Sequence, residues 1–314
     1  MSRWVLGARP RTLPAAVVPV LVGTACAFGV ADRVDASLDS FPPQEQWIRG
    51  AAALDWLNVA MALVVALALQ VATNYANDYS DGKRGTDDPT KRVGPPRLVG
   101  NGLATAAEVK RAMIAAFGVA LLAGSVLVLR IGWELVPVGL AAVAAGYLYT
   151  GGPKPYGYLG LGEAFVFVFF GLVATVGSTY VQLQEITWLS VGCAVAVGAL
   201  ATALLVVNNL RDIPGDTVSG KRTLAVQLGD QRTRYLYVAL VTVPFVIVPF
   251  VAGLGGRPLA AISLGGLLVW RQPVFAVLTG VRGRDLIPVL GQTGRLQLVF
   301  GVLLAVGLAA STYL

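Results

Sequence analysis

The chain has 314 residues, of which 56% are apolar and only 13% charged, and its mean hydropathy is +0.70. Soluble domains carry about 25% charged residues, so this composition excludes an ordinary soluble domain and indicates a membrane protein. The formal net charge is +7, and histidine is absent, which excludes His-activated nucleophiles, His-ligated metals and His-ligated haem.

Apolar segments long enough to cross a membrane recur along the whole sequence. A spanning helix needs roughly 20 mostly apolar residues. The segments predict nine transmembrane helices, at residues 12–31, 53–77, 106–129, 132–150, 160–183, 187–209, 233–254, 258–280 and 294–313. The predicted fold class is therefore all-α, a single bundle of about nine helices in one domain at 1–314, embedded in a lipid bilayer.

Lys and Arg residues are distributed unevenly between the predicted loops. With the N-terminus inside, 19 of the 24 lie on the cytoplasmic side and four on the opposite side, while Arg271 falls inside the eighth span. Such an excess of basic residues is typical of cytoplasmic loops. We therefore expect a multi-pass protein of the cell membrane, with its N-terminus in the cytoplasm.

Two polar stretches end the second and sixth predicted helices, and each places an Asn four residues before an Asp. The oxygen-bearing side chains are Asn74, Asp78 and Asp81 in the first, and Asn208, Asp212 and Asp216 in the second. Residues three and four apart share one helix face, and carboxylates at membrane depth usually mark a functional site. Because Mg²⁺ is commonly bound by a few carboxylates plus substrate phosphates, the pattern predicts a membrane enzyme acting on a lipid diphosphate.

The loops that follow these stretches are rich in glycine and basic residues, at 83–102 and 215–223. Attraction to anionic lipid headgroups is one explanation for them. Their position directly after the acidic stretches favours a second explanation, in which they hold a Mg²⁺-bridged diphosphate.

The end of the fourth predicted helix and the loop after it, residues 147–158, contain four tyrosines and a lysine. We expect Tyr156 and Tyr158 to belong to an aromatic belt at the membrane interface. Tyr149 and Lys154 are stronger candidates for function, since a single Lys can bind phosphate as a point charge.

Four sequence strings carry a family resemblance that covers nearly the whole chain. They are RPRTLPAAVVPVLVGTA near the start, NDYSDGKRGTDD after the second helix, YTGGPKPYGYLGLGE after the fourth and NNLRDIPGDTVSGKRTLAVQLG after the sixth. The sequence resembles the UbiA superfamily of intramembrane aromatic prenyltransferases, and most closely its 1,4-dihydroxy-2-naphthoate branch in menaquinone biosynthesis.

The resemblance implies a reaction. A polyprenyl group would pass from a polyprenyl diphosphate to 1,4-dihydroxy-2-naphthoate with loss of CO₂ and pyrophosphate, giving demethylmenaquinol. Two Mg²⁺ ions and nearby cations would stabilise the leaving pyrophosphate. No activated Ser or Cys is required, and we expect no nucleic-acid partner.

The resemblance also implies a role for each matching residue. One Mg²⁺ would be held by Asp78 and Asp81 and the other by Asp212 and Asp216, with Asn74 and Asn208 beside them. Hydrogen bonds between helices would equally explain the two Asn residues. The residues expected to bind the diphosphate are Arg97, Tyr149, Lys154 and Lys221, and Arg9 is expected to meet the carboxylate of the aromatic acid.

One position departs from the superfamily pattern. The common form of the first motif has another Asp four residues after Asp81, where this chain has Gly85. Asp87 and Asp88 follow shortly, and the sequence does not decide whether either reaches a metal.

Three alternatives stay open or can be weighed from the sequence. Another aromatic acceptor, such as 4-hydroxybenzoate, would suit the same motifs. The signature of CDP-alcohol phosphatidyltransferases begins Asp-x-x-Asp-Gly, which Asp78-Tyr79-Ser80-Asp81-Gly82 fits. It then requires Ala-Arg two residues after the Gly, where this chain has Gly85-Thr86. A cation-coupled transporter would place its ionisable residues near the membrane midplane, whereas these Asp residues end their helices. Prenyl chain length and oligomeric state cannot be read from the sequence.

Overall fold

A computed structural model describes residues 2–30, 54–85, 94 and 96–314, and within these ranges the chain forms helices and no strand. The helices, in chain order, are α1 (Arg3–Ala8), α2 (Pro14–Ala27), α3 (Trp56–Arg84), α4 (Ala106–Arg130), α5 (Leu135–Leu148), α6 (Gly162–Leu183), α7 (Trp188–Val218), α8 (Leu224–Gly253), α9 (Pro258–Leu278) and α10 (Leu286–Ala310). The predicted all-α, multi-pass fold is confirmed.

Seven helices in the described ranges are long and apolar enough to cross a membrane, namely α3, α4 and α6 to α10. The first predicted span, residues 12–31, corresponds to α2, and a bend of 51° separates α2 from the preceding helical stretch, Arg3–Thr12. Arg9 ends α1 in a left-handed conformation with φ of 53°, and Pro10 follows, which lacks the N–H needed to continue a helix. The fourth predicted span is the short helix α5, of 14 residues. The nine predicted spans thus have counterparts in order, although not all are full-length helices.

The two helices that carry the Asp stretches extend past the predicted boundaries. The prediction ended them at residues 77 and 209, whereas α3 continues to Arg84 and α7 to Val218. Polar residues lower the hydropathy of these last turns without breaking the helix. Both Asp stretches therefore lie within continuous helices.

The bundle is organised around α7, the most deeply buried of the seven spanning helices. It packs against α2, α6, α8 and α10, and the core between them contains fully buried side chains such as Leu200, Tyr237 and Phe300. A second apolar cluster, around Ala72 and Phe117, joins α3 to α4. The cavity described below lies between these two packed groups.

Helices α6 and α7 approach each other closely through glycine. A Cβ atom added to Gly171 would lie 2.4 Å from Cα of Gly198. Gly171 lies in a π-helical segment of α6, Phe167–Val173. Small residues let membrane helices pack backbone to backbone, and this contact fixes the distance between the cavity walls that α6 and α7 form.

We therefore predict that Gly171→Ala lowers the melting temperature of the purified protein in detergent. The added methyl group must push α6 away from α7, and overpacking of this kind typically costs about 1–3 kcal/mol. Gly177→Ala is the matched control on the same helix, because nothing lies within 4 Å of a Cβ added there. Equal melting temperatures for the two variants would contradict the close-packing account.

Candidate active site

The helices surround a cavity of about 1560 Å³. Its apolar part is lined by α3, α4, α5 and α6, with residues such as Leu69, Leu127 and Phe169. Its polar part lies where α3 and α7 end, and it includes the α1–α2 junction and the loops before α4, α6 and α8. The cavity therefore combines a long apolar channel with a charged end.

Most of the side chains singled out from the sequence meet at this cavity. Nine of the eleven line it: Arg9, Asn74, Asp81, Arg97, Tyr149, Asn208, Asp212, Asp216 and Lys221. Lys154 does not line it and is exposed. Asp78 does not line it either, although it is almost completely buried.

The side chain of Asp78 does not have the orientation that its predicted role in metal binding requires. Its two carboxylate oxygens accept backbone N–H hydrogen bonds from Leu98, at 2.9 Å, and Val99, at 3.0 Å. These bonds fix the turn that places the buried side chain of Arg97 at the cavity. In this structure, Asp78 therefore anchors the loop and does not face the substrate space.

Asn77 lies at the cavity in a position that the sequence argument did not assign. It accepts a hydrogen bond from the hydroxyl of Thr150 at 2.8 Å. The signal was present in the sequence, because Asn77 precedes Asp81 by four residues as Asn208 precedes Asp212. On α3, the pair equivalent to Asn208 and Asp212 of α7 is therefore Asn77 and Asp81.

Asn74, one turn deeper, ties α3 to the α1–α2 junction. Its amide donates hydrogen bonds to the carbonyl of Ala8, at 2.9 Å, and to the hydroxyl of Thr12, at 3.2 Å. The guanidinium of Arg9 lies 3.4 Å from the backbone oxygen of Asn74. Helix-to-helix bonding, the second of the two explanations for Asn74, is what the structure shows, and it holds Arg9 at the cavity.

Asp81 is surrounded by groups from two other loops. The ammonium of Lys221 lies 3.2 Å from one carboxylate oxygen, and the hydroxyl of Tyr158 donates to the other. The same ammonium lies 4.7 Å from the centre of the Tyr158 ring. The loops before α6 and α8 thus converge on the end of α3 and place a cation, a phenol and a carboxylate together.

Asp212 is bound by a residue that the sequence argument missed, the neighbouring Arg211. The guanidinium contacts both carboxylate oxygens, at 2.7 and 2.6 Å, and also donates to Asn208 at 2.9 Å. Two-pronged contacts of this kind are strong and geometrically specific. Arg211 is almost fully buried, whereas Asp212 is about a quarter exposed. The guanidinium therefore contacts the buried side of the carboxylate and leaves the carboxylate accessible to the cavity.

Aromatic rings form the wall beside the charged end. The Tyr156 ring stacks on Phe165 with centroids 4.0 Å apart and meets the Tyr149 ring edge-on at 5.5 Å. Burial raises the pKa of Tyr156, so its hydroxyl stays protonated at neutral pH and donates to the carbonyl of Ala145. Tyr156 and Tyr158, which the sequence assigned to an interfacial belt, both line the cavity.

The oxygen donors at the cavity suit Mg²⁺. They are Asn77 and Asp81 from α3, and Asn208, Asp212 and Asp216 from α7. Among the described residues, no three carboxylates converge into a preformed metal cage. Mg²⁺ typically takes only one or two protein carboxylates and completes its octahedron with water and substrate phosphate, so separated carboxylates across a cavity fit the ion. Asp87 and Asp88 lie outside the described residues.

The orientation of Asp78 leads to a prediction that separates anchoring from metal binding. Asp78→Ala leaves two buried N–H groups without their acceptor, which costs roughly 1–3 kcal/mol. We therefore expect a lower melting temperature without Mg²⁺ or substrate, and partial recovery in Asp78→Asn, which retains one acceptor oxygen. An unchanged melting temperature, together with loss of the stabilisation that Mg²⁺ and pyrophosphate give the wild type, would instead assign Asp78 to the metal.

Comparison with known proteins identifies the family. Residues 46–285 match the UbiA prenyltransferase family. The 1,4-dihydroxy-2-naphthoate octaprenyltransferase of Mycobacterium tuberculosis is 46% identical over 308 residues, which cover 98% of this chain and 97% of that protein.

Solved structures show the same fold at low sequence identity. The apo structure of a UbiA homologue from Aeropyrum pernix K1 superposes with a TM-score of 0.64 at 15% identity, over 93% of this chain and 97% of that chain. A UbiA homologue from Archaeoglobus fulgidus bound to DMAPP and Mg²⁺ gives a TM-score of 0.55 at 16% identity, over 97% and 100%. The family match over most of the chain and the close relative agree with the motifs, and the chain therefore belongs to the UbiA prenyltransferase family.

Proposed function

We propose that the protein transfers a polyprenyl group from a polyprenyl diphosphate to 1,4-dihydroxy-2-naphthoate, releasing CO₂ and pyrophosphate and giving demethylmenaquinol. The observation that carries the proposal is the form of the cavity, whose apolar channel ends at carboxylates and cations. A molecule with a long hydrocarbon tail and a diphosphate head matches both parts. The choice of acceptor is supported by the name of the 46% identical relative from M. tuberculosis.

Mg²⁺ is the proposed cofactor, with two ions expected. Asp81, with Asn77, would hold one ion from α3, and Asp212 and Asp216, with Asn208, the other from α7. When bound, Mg²⁺ neutralises charge on the diphosphate as it leaves. The A. fulgidus homologue bound to DMAPP and Mg²⁺ supports this pairing of metal and prenyl diphosphate.

The cationic side chains of the site would act on the leaving group. Lys221 already lies against Asp81 at 3.2 Å, so its ammonium would contact a diphosphate bound at this end of the cavity. Arg97 approaches from the turn that Asp78 anchors. As the allylic C–O bond breaks, negative charge grows on the diphosphate oxygen, and fixed cations stabilise that charge more than the charge of the ground state.

Arg9 would orient the acceptor. Its guanidinium lies at the α1–α2 junction on the cavity wall, where it can bind the naphthoate carboxylate in a charge-assisted pair. The ring carbon that bears this carboxylate forms the new C–C bond to the prenyl cation. The bond to the carboxylate then breaks, its electron pair restores the aromatic ring, and CO₂ departs.

The proposed location is the cell membrane, with the N-terminus and active-site loops in the cytoplasm. The support is the uneven distribution of Lys and Arg between the loops. Residues 1–314 would form one catalytic unit, since α1, α3, α6 and α7 all contribute to the same cavity.

We predict that turnover requires a divalent cation and both carboxylate sets. EDTA should stop the reaction, and Mg²⁺ should restore it. Asp81→Ala and Asp212→Ala should each lower kcat at least a hundredfold, and the double variant should be no worse, because residues that act as one unit are not additive. Product formation from a radiolabelled prenyl diphosphate measures this, and near wild-type turnover in Asp212→Ala would contradict it.

The mass of the product tests the acceptor. Purified protein with farnesyl or geranylgeranyl diphosphate, Mg²⁺ and a panel of aromatic acids should give an adduct equal to acid plus prenyl group minus CO₂, with one equivalent of pyrophosphate. A product that keeps its carboxyl group and forms faster from 4-hydroxybenzoate would move the chain to another acceptor. Cation-driven uptake into vesicles without any prenyl transfer would favour the transporter alternative.

A further inference from the structure

A buried carboxylate lies beside the cavity and has no part in the reaction described above. Glu163, in the first turn of α6, is 5% exposed. Charged side chains at membrane depth are costly and usually functional. The positive end of the helix dipole favours a carboxylate in a first turn and so reduces the cost of its charge. The dipole does not explain why Glu163 contacts another helix.

That contact joins Glu163 to the cavity wall. The side-chain amide of Asn209 on α7 donates to a carboxylate oxygen of Glu163 at 2.9 Å. Asn209 lines the cavity, directly beside Asn208, whereas Glu163 does not. Any effect of Glu163 on a bound molecule therefore passes through Asn209.

The chemistry of the pair fixes the direction of the amide. The NH₂ group of Asn209 faces the carboxylate of Glu163, so the amide oxygen of Asn209 points elsewhere. An amide oxygen in the cavity accepts hydrogen bonds and repels phosphate oxygens. Its partner is therefore a hydrogen-bond donor or a cation, and a hydroxylated aromatic ring supplies a donor.

We propose that Glu163 is a positioning residue, which fixes the Asn209 amide as the acceptor for a ring hydroxyl of the aromatic substrate. The inference rests on the proposed function, because it concerns the acceptor of that reaction. The hydrogen bond draws the hydroxyl proton away from the ring oxygen and so makes the attacking ring more electron-rich. It also orients the ring from the α7 side, in addition to the carboxylate contact expected of Arg9.

The neighbouring aromatic wall is consistent with a ring at this place. A Cβ added to Gly162, the residue before Glu163, would lie 3.0 Å from a ring carbon of Tyr149. The edge of the Tyr149 ring therefore borders the pair. A flat acceptor held by Asn209 would lie against an aromatic surface, which suits offset or edge-on ring contacts.

Glu163→Gln tests the role without changing side-chain volume. The Gln NH₂ group can donate to the amide oxygen of Asn209, so the fixed direction of that amide is lost. We expect the Kd of the aromatic acid, measured by titration without prenyl diphosphate, to rise about tenfold, the effect of one hydrogen bond to a buried group. The KM of the prenyl diphosphate and the Mg²⁺ requirement should stay within about twofold, since only the acceptor contact changes.

A double variant and a matched control make the result specific. Asn209→Ala should raise the Kd of the aromatic acid at least as much as Glu163→Gln does. The Kd of the variant that combines Glu163→Gln with Asn209→Ala should be no higher than that of Asn209→Ala alone. Glu108→Gln is the control, because Glu108 caps α4 and pairs with Arg3 outside the cavity. An acid whose ring hydroxyls are methylated should bind wild type and Glu163→Gln equally.

The outcomes separate this inference from the proposed function. Unchanged acid binding in Glu163→Gln, additive effects in the double variant, or a selective rise in the KM of the prenyl diphosphate or in the Mg²⁺ requirement would overturn the role of Glu163. Wild-type protein that binds the acid in a Glu163-dependent way but transfers no prenyl group would overturn the proposed function and leave the binding role intact.

Discussion

The ion pairs at the ends of α3 and α7 determine how the rest of the site is arranged. In the proposed orientation, these ends face the cytoplasm. A carboxylate that is largely removed from water needs a nearby opposite charge or hydrogen-bond donor. Lys221 and Tyr158 contact the carboxylate of Asp81, and Arg211 contacts that of Asp212. Because these partners come from other loops or from the preceding residue in the helix, compensating the carboxylates also brings the cations to the place where a diphosphate would bind.

The helical framework was largely predictable from the sequence because hydrocarbon imposes a simple rule on composition. Long apolar segments must be helical, and their order is that of the structure. The exceptions have local causes. A separate short helix, α1, precedes the first span and ends at Arg9 and Pro10, and α3 and α7 run longer than their apolar segments because polar residues continue the helix without contributing hydropathy.

The composition of the site was predictable, but the direction of individual side chains was not. Asp78 and Asp81 are three residues apart and share a helix face, and only the packing of the turn at Leu98 and Val99 decides that Asp78 faces that turn. Arg211 was visible as the neighbour of Asp212, yet adjacency in sequence says nothing of a two-pronged contact. Glu163 and Asn209 lie 46 positions apart in the sequence, on α6 and α7, and no spacing rule connects them.

The central claim is that metal binding at this cavity depends on a diphosphate that completes the coordination supplied by separated carboxylates. Mn²⁺ binding followed by electron paramagnetic resonance tests it, with and without an unreactive thio-analogue of a prenyl diphosphate. The account predicts weak Mn²⁺ binding alone, tight binding of two ions with the analogue, and loss of that tight binding in Asp81→Asn and Asp212→Asn. Equally tight binding without the analogue, or tight binding that survives both substitutions together, would contradict it.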